Sequence, residues 1–160
     1  MTIKILGALA AVALLSACAS TPPTTTGAAN GAGTTASTAG AAPGSEEDLV
    51  ANVGDRVFYA FNTSNLSGDA RSTLDRQAGW LQRYPSVQIQ LAGNCDDRGT
   101  EEYNLALGQR RANAARDYLV ARGIASSRIS TISYGKDRPV AQGDDEQAWA
   151  QNRNAITAVQ

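Results

Sequence analysis

The sequence predicts a domain of the α/β or α+β class, in which strands and helices alternate along the chain. Two observations support this class. Apolar residues recur at every second position in several short segments, and at spacings of three and four in two longer ones. The alternation runs from about Asp48 to Gln160, so we assign one domain to residues 48–160. Strands separated by helices favour parallel pairs joined by crossover helices.

The first half of this domain is predicted to form a strand, a helix and a second strand. Val57, Tyr59 and Phe61 occupy every second position, as residues on one face of a strand do. Ser67 is a suitable N-cap for a helix that ends at Tyr84-Pro85, because the residue before proline disfavours helical geometry. The apolar face of this helix consists of Ala70, Leu74, Ala78 and Leu81. Residues 87–91 alternate between apolar residues and glutamine, which indicates a half-buried strand.

The second half begins with a loop, residues 93–99, followed by a long helix. The spacing of three and four places these residues on its buried face: Leu105, Gly108, Ala112, Ala115 and Leu119. Gly123 is suited to the position after the helix end, with Ile124 as the apolar contact beyond it. The remaining elements are a strand at 129–134, a turn at 135–139, a short helix at 144–152 and a last strand at 155–159.

Composition excludes several classes of function. The chain has 14 basic and 15 acidic residues, and this balance gives no reason to expect a nucleic-acid or polybasic membrane surface. It contains no histidine, so the commonest general base and the commonest metal ligand are both missing. We therefore expect no metal, no cofactor and no nucleic-acid partner.

The first residues predict a secretory signal peptide, 1–17. Lys4 precedes an uncharged apolar segment, residues 5–15, which is shorter than the roughly 20 residues that a membrane-spanning helix needs. Leu15-Ser16-Ala17-Cys18 resembles the lipobox of bacterial lipoproteins. That resemblance implies a diacylglyceryl group on the Cys18 sulfur, cleavage before Cys18 and acylation of the new amine. The alternative is an ordinary signal peptide with an unmodified cysteine nearby.

Residues 18–47 are predicted to be the lipidated cysteine and a disordered linker. No charged residue occurs between Ala19 and Ser45, where Ala, Gly, Thr, Ser and Pro dominate, so the segment buries too little surface to offset chain entropy. Fully extended, it reaches about 90 Å. Ala19 replaces the aspartate that retains bacterial lipoproteins in the inner membrane, which favours the periplasmic face of the outer membrane.

The densest polar cluster, residues 94–102, joins the end of a strand to the start of a helix. Free N–H groups and a partial positive charge at that helix start suit an anion. Arg110 and Arg111 follow about three turns later, where one of them can point back toward Asp96. A carboxylate beside a guanidinium can bind a zwitterion. The alternative is a structural salt bridge that only attaches the helix to the sheet.

Residues 93–112 closely resemble the OmpA-like peptidoglycan-binding domain, and shorter blocks at 57–61, 132–139 and 152–153 agree with it in order and spacing. The resemblance implies a βαβαβ(αβ) sandwich, with helices packed on one face of a mixed sheet. It also implies a noncatalytic domain that binds the peptide stem of peptidoglycan, especially its diaminopimelate residue. For a lipoprotein with this domain, the resemblance further implies that periplasmic TolB is a partner and that the protein has a role in envelope constriction during division.

The resemblance places the ligand-binding aspartate on Asp96 and the ligand-binding arginine on Arg111. Our hypothesis is that Asp96 takes the ammonium group of diaminopimelate and Arg111 its carboxylate. Backbone N–H groups near Gly99 and Thr100 would help to position the ligand. Leu105 and Phe61 are candidates for the pocket wall. Because large apolar residues are usually buried, a role in the core is an equal alternative for both.

Two positions depart from the family pattern. Asn62 replaces an aspartate, and Asn154 replaces an arginine after Arg153. Asn62 can still hydrogen-bond an amine, and Arg153 remains available to the site. The central pair is therefore expected to persist, with a possible change in affinity or stem-peptide preference.

Two functions other than peptidoglycan binding are alternatives for this sequence. A cell-wall hydrolase needs an activated nucleophile, a metal or two opposed carboxylates. Cys95 has no histidine to activate it, and its acidic neighbours raise the pKa of its thiol, so it is expected to act as a small apolar residue. An intermolecular disulfide through Cys95 is a further alternative. The second rival is a protein-interaction module that binds TolB, with wall binding secondary.

Overall fold

The computed structural model describes residues 40–160; the predicted signal peptide, Cys18 and the linker up to residue 39 lie outside the described residues. The described residues form four strands: β1 (Arg56–Phe58), β2 (Ile89–Asn94), β3 (Ile129–Gly135) and β4 (Asn154–Val159). They make one sheet in the order β1-β4-β2-β3. Strands β2 and β3 are parallel, whereas β4 is antiparallel to both β1 and β2. The predicted mixed sheet is therefore confirmed.

Residues 40–160 also form four α-helices: α1 (Glu46–Asp48), α2 (Gly68–Arg83), α3 (Glu101–Ala121) and α4 (Glu146–Asn152). A π-helical turn, Leu49–Val53, follows α1, and a 3₁₀ turn, Ser126–Arg128, precedes β3. The apolar faces of α2 and α3 form one core with Ile89 and Leu91 of β2. Within this part of the chain, no helix combines the length and the apolar character needed to span a bilayer.

The expectation of parallel strand pairs holds for β2 and β3 but is wrong for β4. Helix α4, which connects β3 to β4, has 7 residues. A helix of that length rises about 10 Å, roughly half the length of a six-residue strand, so α4 does not run along the sheet as a crossover helix does. Strand β4 starts where β3 finishes and inserts antiparallel between β1 and β2.

The capping signals predicted for both long helices are present. The Ser67 hydroxyl accepts a hydrogen bond from the backbone N–H three positions later at 3.1 Å. At the end of α3, Gly123 has a φ of 91° and donates to the Val120 carbonyl, while Ile124 donates to the Leu119 carbonyl at 3.1 Å. These two bonds form a Schellman motif. The buried face of α2 contains the predicted Ala70, Leu74, Ala78 and Leu81.

Two apolar side chains do not lie where the periodicity predicted. Strand β1 ends at Phe58, and Phe61 lies beyond it with 59% of its surface exposed. Leu105 is 36% exposed, because the first turns of α3 direct Asn104 and Arg111 into the protein instead. The other predicted residues of this face, Gly108, Ala112, Ala115 and Leu119, are buried as expected. Counting apolar residues therefore misplaced the start of the face alone, because polar side chains that find hydrogen-bond partners can also be buried at helical spacing.

Asp48 attaches the start of the folded segment to α2. Its carboxylate accepts hydrogen bonds from the Gly44 N–H at 2.9 Å, from Asn52 Nδ2 at 2.7 Å and from Trp80 Nε1 at 2.9 Å. The bond from Gly44, followed by those from Trp80 and Asn52, lowers the pKa of Asp48 below its ordinary value. Packing contacts thus begin at Gly44, four residues before the assigned start of the domain.

Replacing Asp48 with asparagine is expected to lower the free energy of unfolding at pH 7 and to flatten its acid dependence. Because the folded-state pKa is lowered, the contribution of the carboxylate is complete above the unfolded pKa of about 3.9 and is lost as the pH falls below that value. Urea unfolding at pH 7 and pH 3 should show a gap between parent and D48N that shrinks at pH 3. The exposed Asp137→Asn variant is the control. A gap of equal size at both pH values would contradict the expectation.

Candidate functional site

Two glycines bring α3 against the end of β2. A Cβ atom on Gly93 would lie 1.8 Å from the carbonyl oxygen of Gly108, and one on Gly108 would lie 2.3 Å from Ser133 Oγ. Only a hydrogen side chain leaves room for this contact, since the two backbones touch. The close approach places the start of α3 directly beside the residues that follow β2.

The loop between β2 and α3 is held by hydrogen bonds from both sides. The Cys95 N–H donates to the Gly135 carbonyl at 2.7 Å and so continues the contact with β3 beyond the end of β2. Asn104 Nδ2 donates to the Arg98 carbonyl at 2.9 Å, and Lys136 Nζ donates to the Gly99 carbonyl at 2.9 Å. Gly99 has a φ of 96°, which favours glycine. These bonds fix the loop that carries the predicted site.

A cleft of about 170 Å³ opens where this loop meets α3 and the segment after β1. Five of the residues singled out by the sequence line it: Phe61, Asn62, Asp96, Gly99 and Arg111. Four further lining residues were not singled out: Arg98, Tyr103, Asn104 and Leu107. Thr100, Leu105 and Arg153 are not among the lining residues. Thr100 is instead the N-cap of α3, where its hydroxyl accepts from the Tyr103 N–H at 3.3 Å.

Asp96 is buried and paired with two arginines. Arg98 Nη2 donates to Asp96 Oδ2 at 2.6 Å, and Arg153 Nη1 donates to the same oxygen at 3.3 Å. No described residue donates to the other oxygen, Oδ1. Burial alone would raise the pKa of Asp96, but the hydrogen bonds and charges of the two arginines outweigh it and lower the pKa. The carboxylate is therefore ionised at neutral pH.

Arg111 is fully buried and bonded to backbone carbonyls. Its guanidinium donates to Thr63 at 2.9 Å, to Asn94 at 2.7 Å and to Ala60 at 3.2 Å. None of the ion pairs among residues 40–160 includes it. Burial lowers the pKa of Arg111, yet an arginine stays charged under all ordinary conditions. Asp96 and Arg111 thus line one cleft without pairing with each other.

Arg98 is the most informative residue that the sequence analysis missed. Its guanidinium lies between the rings of Phe61 and Trp149, 4.0 Å from each ring centre, while it also holds Asp96. The signal available in the sequence was a basic residue two positions after Asp96 in a loop. Nothing in the sequence indicated Trp149, because its position depends on how α4 packs across the cleft edge.

The two positions that depart from the family pattern have defined partners. Asn62 has a φ of 54°, a region that asparagine adopts more readily than most residues, and its Oδ1 accepts a hydrogen bond from the Tyr103 hydroxyl. Asn154 is buried, where its Oδ1 accepts from Asn94 Nδ2 at 2.8 Å. Asn62 therefore faces the cleft, whereas Asn154 contributes to the sheet behind it.

Cys95 lies behind the cleft and is 3% exposed. Its thiol contacts the Asn104 carbonyl at 3.4 Å. Burial is the main reason that the pKa of the thiol is raised, and the neighbouring Asp96 adds to it. A buried thiol of raised pKa is a poor nucleophile.

The fold and the cleft define an OmpA-like domain. The sequence model of the OmpA family matches residues 58–153, and the chain belongs to this family. The resemblance expected from residues 93–112 is therefore confirmed.

The most similar relatives include peptidoglycan-associated lipoproteins. The chain is 56% identical over 122 residues to the one from Rhizobium meliloti (strain 1021), covering 76% of this chain and 69% of that protein. It is 53% identical over 131 residues to the one from Brucella melitensis biotype 1, covering 81% and 78%. The crystal structure of the peptidoglycan-associated lipoprotein from Burkholderia pseudomallei matches with a TM-score of 0.65 and 40% identity over 66% of this chain and 90% of that chain.

The fold extends to more distant proteins. The C-terminal domain of Helicobacter pylori MotB matches with a TM-score of 0.62 at 22% identity, over 66% of this chain and 84% of that chain. At that identity the likeness concerns the fold alone.

Proposed function

We propose that this domain binds the peptide stem of peptidoglycan through the zwitterionic end of diaminopimelate and has no catalytic role. The observation that supports the proposal is a cleft lined by an ionised carboxylate, Asp96, and by the guanidinium of Arg111, which has no ion-pair partner among residues 40–160. The free end of diaminopimelate carries one ammonium and one carboxylate group, so its charges match the two residues. The close approach of Gly93 and Gly108 and the hydrogen bonds of Asn104 and Cys95 hold the loop of Asp96 against the helix of Arg111.

Arg111 supplies the half of the site that takes a carboxylate. A guanidinium has five N–H donors, and three of them are used by the carbonyls of Ala60, Thr63 and Asn94. The remaining two N–H groups and the uncompensated charge favour an anionic partner over a neutral one. A carboxylate that reaches this position forms a charge-assisted hydrogen bond.

Asp96 supplies the half that takes an ammonium group. Its Oδ2 is occupied by Arg98 and Arg153, which keep the carboxylate ionised and oriented. An ammonium group from the ligand binds the carboxylate either at Oδ1 or by replacing one of the arginines. Asn62 lies on the same cleft and offers a neutral amide in place of a second negative charge.

We further propose that a lipid anchor on Cys18 holds the domain at the periplasmic face of the outer membrane. Three acyl chains exceed the two signals that stable anchoring needs. The domain would then link the outer membrane to the cell wall and support envelope constriction during division. TolB and other Tol–Pal components are the protein partners proposed for it. Affinity capture of the intact lipoprotein from envelope extracts should recover TolB, and repeated failure would remove this part of the proposal.

Replacing Asp96 with asparagine is expected to weaken binding to peptidoglycan by about tenfold or more, because it removes the charge that a ligand ammonium needs. The measurement is co-sedimentation of purified residues 40–160 with isolated sacculi over a range of sacculus concentrations. Asp97→Asn is the matched control, since Asp97 is the adjacent residue and is exposed outside the cleft.

The control separates the site from the overall charge of the loop. D97N removes the same charge one position away and should sediment like the parent. Thermal unfolding of both variants reports whether D96N remains folded. If folded D96N sediments as the parent does, the assignment of the site is wrong. Release of soluble muropeptides by the parent would overturn the noncatalytic role.

A further inference from the structure

We propose that Arg98 is an internal competitor for Asp96, which the ammonium group of a ligand displaces toward Glu146. The inference rests on the proposed function, and it assigns to Arg98 the control of affinity at that site. In the structure Arg98 lines the cleft and donates to Asp96 Oδ2 at 2.6 Å. The Arg98 guanidinium therefore makes the charge-assisted hydrogen bond to Asp96 that a ligand ammonium group would make.

Charge is the first argument for displacement. Arg98 and Arg153 already place two positive charges on one carboxylate oxygen. Glu146 balances one of these charges, but a third cation beside Asp96 would still lie close to both guanidinium groups, whose charges oppose it. When the ligand ammonium replaces one arginine, the number of cations around Asp96 stays the same.

The two arginines differ in how firmly they are held. The Arg153 side chain is 7% exposed and donates to the Tyr59 carbonyl as well as to Glu146. The Arg98 side chain is 32% exposed, and Asp96 is the one group among the described residues to which its guanidinium donates a hydrogen bond. Arg98 is therefore the residue that can leave, while Arg153 remains and keeps Asp96 paired.

A second acceptor for Arg98 lies within reach. Glu146 Oε2 is 4.0 Å from Arg98 Nη2, while the other oxygen of the same carboxylate, Oε1, accepts from Arg153. A small rotation of Arg98 exchanges one carboxylate partner for another. The charge of Arg98 thus stays paired in both positions.

The present position of Arg98 also leaves hydrogen bonds unmade. Arg98 Nε and Trp149 Nε1 are both buried, and neither has a partner among the described residues. The guanidinium stacks on Phe61 and Trp149, 4.0 Å from each ring centre, so both donors belong to groups in this stack. Unpaired buried donors destabilise the arrangement that buries them, so departure of Arg98 restores water to both.

The same movement bears on Arg111. Arg111 has no exposed surface, although it lines the cleft that Arg98 also lines. A ligand carboxylate reaches Arg111 only when a lining side chain moves. Arg98 is one of these lining side chains and has an alternative partner close by, so it is the movement that we assign to this opening.

Replacing Arg98 with glutamine is expected to strengthen binding of a diaminopimelate-containing stem tripeptide by about two- to fivefold, which is the range for a partly exposed ion pair. The measurement is isothermal titration calorimetry on residues 40–160. Arg138→Gln is the matched control, because Arg138 also stacks on an aromatic ring, that of Tyr134 at 3.6 Å, but lies outside the cleft. R138Q should bind the tripeptide as the parent does.

The parent protein provides a second measurement that needs no substitution at Arg98. The chain has two tryptophans, whose indole N–H signals are resolved by nitrogen-15 NMR. Displacement of Arg98 uncovers the Trp149 indole N–H, so its signal should shift and exchange faster with water when the tripeptide is added. The Trp80 indole is bonded to Asp48 and serves as the internal reference.

The outcomes separate this inference from the proposed function. If the parent does not bind the tripeptide, the proposed function is wrong and the inference fails with it. If the parent binds but folded R98Q binds equally or more weakly, Arg98 is not a competitor, while the proposed function stands. An unchanged Trp149 signal in a parent protein saturated with tripeptide likewise overturns the inference alone.

Discussion

Replacing Gly93 with alanine is expected to lower the free energy of unfolding by at least about 3 kcal/mol, the upper part of the range for an overpacked core. The added Cβ would lie 1.8 Å from the carbonyl oxygen of Gly108 and 2.6 Å from its carbonyl carbon. Both are backbone atoms in the middle of α3, so no side-chain rotation relieves the clash. The helix has to move away from β2, and urea unfolding followed by circular dichroism measures the cost.

Gly79→Ala is the matched control for this prediction. Gly79 lies in α2, is exposed, and a Cβ atom there would meet nothing within 4 Å. Alanine is favoured over glycine within a helix, so this variant is expected to gain up to about 1 kcal/mol. If G93A unfolds within about 1 kcal/mol of the parent, the close approach of α3 to β2 is not as described.

Replacing Arg111 with alanine is expected to cost about 3–5 kcal/mol of stability, in addition to any loss of binding. The side chain is fully buried, and its removal leaves the carbonyls of Ala60, Thr63 and Asn94 without their donor. Each buried polar group left unpaired costs about 1–3 kcal/mol. Arg111→Lys retains the charge but lacks the planar fork, so we expect it to recover only part of the lost stability.

Arg110→Ala is the matched control for Arg111. Arg110 precedes it on α3 and is exposed, with its guanidinium 5.9 Å from the Tyr103 ring centre. Surface substitutions of this kind usually change stability by less than about 0.5 kcal/mol. Chemical unfolding of the three variants tests the ranking. Equal stability of R111A and R110A would contradict the structural role of Arg111.

The dual role of Arg111 affects how the proposed site is tested. Loss of peptidoglycan binding in R111A would follow from a damaged fold as readily as from a missing ligand contact. D96N is the cleaner substitution, because the amide is close in size to the carboxylate and the control at Asp97 is adjacent. The structure therefore changes the choice of variant that the sequence alone would suggest.

Local hydrogen-bonding signals were predicted correctly from the sequence. The Ser67 cap, the buried face of α2 and the Schellman motif at Gly123 and Ile124 are all present. In each of them, successive residues of the pattern are within about five positions of one another, so the local pattern is sufficient. The end of the first strand and the start of the apolar face of α3 were less well predicted, since Phe61 and Leu105 are exposed.

The arrangement of the candidate site was predicted only in part. The resemblance to OmpA-like domains singled out Asp96 and Arg111, and both line one cleft. The hypothesis gave Asp96 to a ligand ammonium, whereas in the structure Arg98 and Arg153 hold it. Arg153 is 57 positions away along the chain. Local sequence patterns do not indicate contacts between residues so far apart, so the ion pair between Asp96 and Arg153 was not predicted.

The sequence by itself determined the alternation of the four strands with the helices α2, α3 and α4, the caps at Ser67 and Gly123, and the family to which the chain belongs, because these depend on short-range patterns and on a contiguous motif. Only the tertiary structure decided that β4 inserts antiparallel between β1 and β2. It also decided that Arg111 is bonded to carbonyls 48 and 51 positions earlier, Thr63 and Ala60. The physical reason is that buried charges take whichever partners the packed backbone presents, and packing brings together residues that are remote in sequence.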